Sequence, residues 1–459
     1  MPTAHEFVQE NRDRFIAQLD ELLRIPSVST LPEHAVDVAR AADWLIADMQ
    51  RIGLPKAEIH RAEGYLPLVY GEWTGAGPDA PTMLVYCHYD VQPAAIADGW
   101  TSDPFVPVER DGKLYARGAV DSKSHVLAWL KATEALLAAA EGCPVNIKLL
   151  FEGEEESGSE HIFEFVAHNK EKLAADVIVI SDGSMPAENQ PALEYGLRGI
   201  VSMELIVTGP QRDLHSGHYG GSIHNPLQAL AEILTGLHNA DGSVAVAGFY
   251  DNVQPLDEAE RATLAEIAPW IEEEWQTVTG APAPWGEPDY AINERIGARP
   301  TLEINGMAGG FYGEGFKTVI PAQALAKISC RLVPDQDPAR IYTLVEEHIA
   351  AHTPPTVTAE LTQLDAGARG ILLDRDAPAM QAARHAYEQS WGVPPILSRA
   401  GGSVPVVDAF QAELDTPLVM LPFGVKAGGA HGPNEFVVLD MFAKGISAAL
   451  YFAYALAKS

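Results

Sequence analysis

Four short apolar runs, rich in β-branched residues, constrain this chain most: Thr82 to Tyr86, Val145 to Phe151, Val177 to Ile180 and Leu418 to Leu421. Runs of this kind read as strands buried inside a sheet. Between the first two, Ser124 to Ala140 is rich in Ala and Leu and holds no Gly or Pro. It suits a crossover helix, which parallel strands require. The expected core is therefore an α/β sheet. Ahead of it, Val8, Phe15, Leu19, Leu22 and Leu23 recur at helical spacing up to Pro26, which predicts an amphipathic first helix ended by proline.

After Gly199 the pattern changes. Ile200 to Val207 and Leu325 to Val333 read as strands, and Pro226 to Leu237 as a helix. The stretch from Gly242 to Arg299 is rich in Pro, Gly, Trp and Glu but carries helical spacing over Glu258 to Glu274. Signals of the first kind return near Pro378, so a smaller α+β domain, residues 197–376, is expected as an insertion into a larger one, residues 1–196 and 377–459.

The balance of 31 Lys+Arg against 63 Asp+Glu leaves a formal charge of -32, which repels phosphate backbones and anionic lipid surfaces and argues against nucleic acid or a membrane as partner. Three cysteines are too few and too scattered for a disulfide framework, so a reducing cytoplasm is expected. The first residues mix Glu6, Glu10, Arg12, Asp13 and Arg14 among apolar ones, unlike a signal peptide. No later stretch reaches the length of a membrane span.

Ligands of open α/β sheets bind beyond the carboxyl ends of the strands, and here those ends carry chemistry. The first run leads into His88, Tyr89 and Asp90; the second into Glu152, Glu154, Glu155 and Glu156; the third into Asp182; the fourth, after a Gly-rich loop, into His431. Asp121 stands just before the crossover helix. Taken alone, a strand-end histidine is ordinarily structural and an acidic triplet ordinarily a solvated loop. Together, imidazoles and carboxylates without thiolate suit Zn(II), Mn(II) or Co(II), and a carboxylate able to bridge suits a pair of ions. That chemistry belongs to hydrolases.

The same residues resemble a known family, the di-metal amidohydrolases and peptidases that include cytosolic nonspecific dipeptidase, carnosinase, aminoacylase and acetylornithine deacetylase. His88-Tyr89-Asp90-Val91-Gln92-Pro93 is similar to its first signature. Gly99-Trp100 through Pro104-Phe105, then Leu114-Tyr115-Ala116-Arg117-Gly118 and Asp121-Ser122-Lys123, resemble its second, and Glu152-Gly153-Glu154-Glu155-Glu156-Ser157-Gly158-Ser159 its third. Asp213-Leu214-His215-Ser216-Gly217 with Gly220-Gly221-Ser222 is similar to a segment of the dipeptidase branch. Ser122 and Ser124 depart from the Asp and Gly often found in the family, a change that removes no ligand.

The resemblance implies a mixed-sheet catalytic domain with an inserted lid that also dimerises. It implies that His88, Asp121 and Asp182 hold one ion and Asp121, Glu156 and His431 the other, with Asp121 as bridge, followed by a cis peptide to Ser122. Glu155 would be the general base, Asp90 the acid that orients His88, and His215 an oxyanion donor supplied by the lid of the partner subunit in a homodimer. On the substrate side it implies Thr318, Arg331, Ser403 and Gly402, with Arg331 gripping a carboxylate through paired hydrogen bonds. The expected enzyme is a metallopeptidase cleaving dipeptides, or short peptides with a free C-terminal carboxylate, with two divalent ions, zinc ahead of manganese or cobalt. An N-acyl amino acid deacylase is the alternative, and a non-catalytic metal- or peptide-binding homologue is disfavoured because Glu155 has no use in one.

Overall fold

In the computed structural model, which describes residues 1–402 and 404–458, the four apolar runs become strands of one sheet. Its order is Lys56–His60, Leu68–Trp73, Asn146–Glu152, Thr82–His88, Val177–Ile180, Leu418–Met420. The last four strands run parallel and the first two antiparallel, so the sheet is mixed as expected. Asn146–Glu152 and Val177–Ile180 are buried along their whole length, which explains their near-continuous apolar character. Lys148 interrupts the run, and its ammonium donates to the carbonyls of Lys172 (2.8 Å) and Ala174 (2.6 Å).

The crossover helix forms over Lys123–Ala138 and is buried on nearly all sides. Its charged residues are therefore hydrogen-bonded: Lys123 donates to the Leu22 and Ile25 carbonyls, and the other two are paired. Lys131 Nζ lies 2.5 Å from Asp48, and Glu134 meets Arg14 and Arg51, each at 2.8 Å. Burial alone would raise the Glu134 carboxyl, but the two arginines bring it down to about 2. The single N-terminal helix read from the sequence is two, Ala4–Glu10 and Arg12–Leu23. Asn11 divides them, its side-chain amide donating to the Phe7 carbonyl (2.8 Å), the competition for backbone groups that makes Asn poor inside a helix.

These elements belong to one compact unit, Met1–Tyr195 with Leu373–Leu397 and residues 409–458; Gly196–Leu372 and Ser398–Asp408 form a second. The second is built on an antiparallel sheet ordered Thr301–Gly309, Gln323–Leu332, Gly199–Thr208, Thr358–Gln363. Burial alternates strictly along Gly199–Thr208. Its inward residues Val201, Met203, Leu205 and Val207 pack with Leu230 and Ile233 of the helix Pro226–Thr235 and with Leu344 and Val345 of Pro338–His352. The helix expected over 258–274 runs further, Glu258–Thr279. Residues 398–408 join this unit although the sequence pattern groups them with the first: Arg198 donates to the carbonyls of Gly401 (2.9 Å) and Gly402 (3.1 Å), and Arg399 pairs with Glu260.

Candidate metal centre

His88 is the last residue of Thr82–His88 and faces Glu152 across the parallel pair, so the strand end itself aims its ring. Nε2 lies 2.9 Å from Asp121 Oδ1. Nδ1 lies 3.2 Å from the Asp90 carbonyl and 3.4 Å from its carboxylate. Asp90 thus orients His88 by backbone as well as side chain, and it has a second task. Its carboxylate accepts from the amides of Glu155 (3.2 Å) and Glu156 (3.0 Å), which fixes the acidic turn Glu155–Ser157 against the strand end.

Asp121 precedes the crossover helix through a cis Asp121–Ser122 peptide. Ser122 Oγ donates to the His88 carbonyl (2.8 Å), so the Ser that departs from the family pattern ties the two ligand segments together. His431 Nε2 lies 3.1 Å from Asp121 Oδ2 and 3.2 Å from Glu156 Oε2. Gln92, quoted within the first motif but given no task there, donates to Glu156 Oε2 (2.7 Å). Its signal was position: four residues past His88 in the same strand-end loop.

Among the described residues, three groups offer one donor atom each within 4.8 Å of one another: His88, Asp121 and Asp182; Asp121, Glu156 and His431; and His88, Glu155 and Glu156. The first two share Asp121. Two imidazoles therefore stand among five carboxylates, those of Asp90, Asp121, Glu155, Glu156 and Asp182, and the charges of this cluster follow from its crowding. Burial, with Asp182, Glu156 and Asp90 nearby, pushes Glu155 up to about 9, and burial with Asp121 nearby pushes Asp182 up to about 6. His431 is drawn up to about 10 by Asp121 and Glu156. Burial would raise Asp121, but His431 and His88 hold it below the carboxylate range. Such crowding of carboxylates around two imidazoles, each able to give up its proton to a cation, fits divalent ions. So does Glu156 Oε1, which is buried without a hydrogen-bond partner among the described residues.

Of the remaining candidates, His215, Thr318, Arg331 and Gly402 lie in the second unit. His215 is exposed on the short strand Leu214–His215, paired with Val319–Ile320, and the Thr318 carbonyl accepts from Ser216 (2.9 Å). His215 Nδ1 accepts from the Gly217 amide (2.9 Å), which in the neutral ring leaves the proton on Nε2. Arg331 is half-buried on Gln323–Leu332, opposite Ile200 and Thr301. Burial and the Arg331 charge pull Arg198 down to about 10, so two guanidinium groups share this neighbourhood, the second of them missed in the sequence. The Gly402 carbonyl holds the Arg198 amide. Ser403 lies outside the described residues.

Comparison with known proteins identifies the family of the chain. The family model for Peptidase family M20/M25/M40 matches residues 84–455. The Cys-Gly metallodipeptidase dug1 of Schizosaccharomyces pombe is 33% identical, over 99% of this chain and 98% of that protein. Human carnosine dipeptidase 1 superposes with a TM-score of 0.83 at 30% identity, over 99% of this chain and 98% of the other. The metallo-carboxypeptidase Sso-CP2 of Sulfolobus solfataricus does so with a TM-score of 0.85 at 29% identity, over 97% and 99%. No helix among the described residues is long and apolar enough to cross a membrane.

Proposed function

The chain belongs to peptidase family M20/M25/M40, and from that membership we propose that it is a dipeptidase working with two divalent ions, zinc ahead of manganese or cobalt. It is a metallopeptidase, a hydrolase of amide bonds in small peptides. What supports the two-ion reading is one observation: Asp121 is shared by the groups His88, Asp121, Asp182 and Asp121, Glu156, His431. These five residues are the proposed ligands. When bound, such ions polarise the scissile carbonyl and make water acidic.

The side chains do the rest. Asp90 holds His88 in one orientation and the turn of Glu155 and Glu156 in place. Glu155 takes a proton from water as the oxygen attacks the carbonyl carbon, and returns that proton to the leaving amine as the C–N bond breaks. His215 is assigned to the oxyanion, to which its Nε2–H would donate, and it would come from the second unit of a partner subunit in a homodimer. Mixing a His215→Ala chain with a Glu155→Gln chain tests this: two inactive proteins are expected to regain activity as subunits exchange, and exchange without recovery removes the trans assignment. Thr318, Gly402 and Ser403 are proposed to line the substrate site. The free thiols of Cys87, Cys143 and Cys330 agree with a cytoplasmic location, which cell fractionation checks.

Arg331 is assigned to the substrate carboxylate. A dipeptide, its C-terminal amide, a tripeptide and an N-acetyl amino acid should be compared with the parent and Arg331→Ala. The parent is expected to prefer the dipeptide. The substitution should lower kcat/KM on the acid about 10- to 100-fold, the worth of a charge-assisted hydrogen bond, and change the amide little. Equal losses on acid and amide would remove Arg331 from carboxylate recognition, and a preference for the N-acetyl amino acid would make the enzyme a deacylase.

A further inference from the structure

Gly99-Trp100 and Ala116-Arg117-Gly118 take part in the sequence motifs with no task in the chemistry, and Glu435 in none of them. All three stretches converge behind the metal centre. Glu435 is fully buried, and its carboxylate accepts four hydrogen bonds. Oε2 takes Arg117 (2.7 Å) and the Gly118 amide (3.0 Å); Oε1 takes the amides of Val120 (2.8 Å) and Asp121 (3.0 Å). Arg117 is buried as well. Its other terminal nitrogen donates to the His431 carbonyl (3.1 Å), and its guanidinium carbon lies 5.4 Å from the Trp100 ring centroid. Asn434 Oδ1 binds the same loop to Thr101, accepting from its amide (2.8 Å) and hydroxyl (2.7 Å).

One buried ion pair therefore spans the two loops that deliver Asp121 and His431. His431 sits at φ 62°, a left-handed conformation that is uncommon for residues other than glycine, though less so for His, Asn and Asp. Arg117 grips the carbonyl of that residue. The opposite group has its own supports, since His88 ends a central strand and Ser122 Oγ ties the Asp121 segment to the His88 carbonyl.

We infer that Arg117 and Glu435 are positioning residues that fix the distance between Asp121 and His431, and thereby the affinity for the ion held by Asp121, Glu156 and His431. The inference rests on the paired-ion reading above. No neighbouring chemistry replaces either side chain. A glutamine at 435 presents one accepting oxygen where four donors point, so it loses half the bonds in either orientation. A lysine at 117 is a single point charge that cannot fork to both Glu435 and the His431 carbonyl.

The test is a titration of the metal-stripped full-length protein with Mn(II) and with Zn(II), which resolves two binding events, alongside melting of the same metal-free samples. His431→Ala assigns the event that belongs to the His431 group. Glu435→Gln and Arg117→Lys are expected to weaken that event about 10- to 100-fold, the usual size of effects from groups behind a ligand, and to move the other less than threefold. If Glu435→Gln does not fold, Arg117→Lys, which keeps a cation opposite Glu435, is decisive alone. Unchanged binding in the variants, or equal weakening of both events in step with a lower metal-free melting temperature, overturns the inference and leaves a staple of the fold. A parent that takes up fewer than two ions overturns the paired-ion reading itself, and this inference with it.

Discussion

Replacing Glu155 by Gln is expected to lower kcat on a dipeptide about 10²- to 10⁴-fold, the usual worth of a general base, while both ions stay bound. The substitution keeps the shape of the side chain and of the turn Glu155–Ser157, because the Asp90 carboxylate grips the backbone amides of residues 155 and 156 and not the Glu155 side chain. What disappears is the proton acceptor. Glu155 also stands within ligand reach of His88 and Glu156, so the metal content of the variant distinguishes base from ligand. Retained ions with collapsed turnover give it the role of base. Loss of an ion gives it the role of ligand, and normal turnover makes it a spectator.

Asp121→Ala should do more damage than any other single change in the site, with loss of both ions and of all detectable hydrolysis. Each of the other ligands belongs to one of the two proposed ion groups, whereas Asp121 contributes one oxygen toward His88 and the other toward His431. His431→Ala, by contrast, should cost one ion. Elemental analysis of the two variants beside the parent separates a bridging carboxylate from an ordinary ligand, and equal metal loss in both would show that the sites are not built around Asp121.

The sheet and its chemistry were legible for one reason. In a parallel sheet buried on both faces, the apolar run ends where the strand ends, so His88 and Glu152 mark the edge by their change in polarity, and Asp182 follows Ile180 by two residues. His431 was different. It stands in a loop whose shape depends on left-handed residues at His431 and Asn434, and no periodicity announces it; it was reached only as the histidine beyond the fourth apolar run and its Gly-rich loop, and the resemblance then gave it a role. The strands Thr301–Gly309 and Thr358–Gln363 escaped for a related reason. The first carries a bulge between Ile304 and Gly306, and both lie at sheet edges with much of their surface exposed, where the hydrophobic pattern fades. Least legible of all was Glu435, because its partners are a distant arginine and three backbone amides, and amides carry no sequence signature.

The central claim, that two divalent ions held through a shared Asp121 drive the hydrolysis, is tested most directly by counting metal in the purified full-length protein and following dipeptide cleavage as the metal is removed. The account predicts about two ions per chain, hydrolysis abolished by chelation and restored by zinc or manganese. Dipeptide hydrolysis by protein that holds no divalent metal, indifferent to chelator, would contradict it.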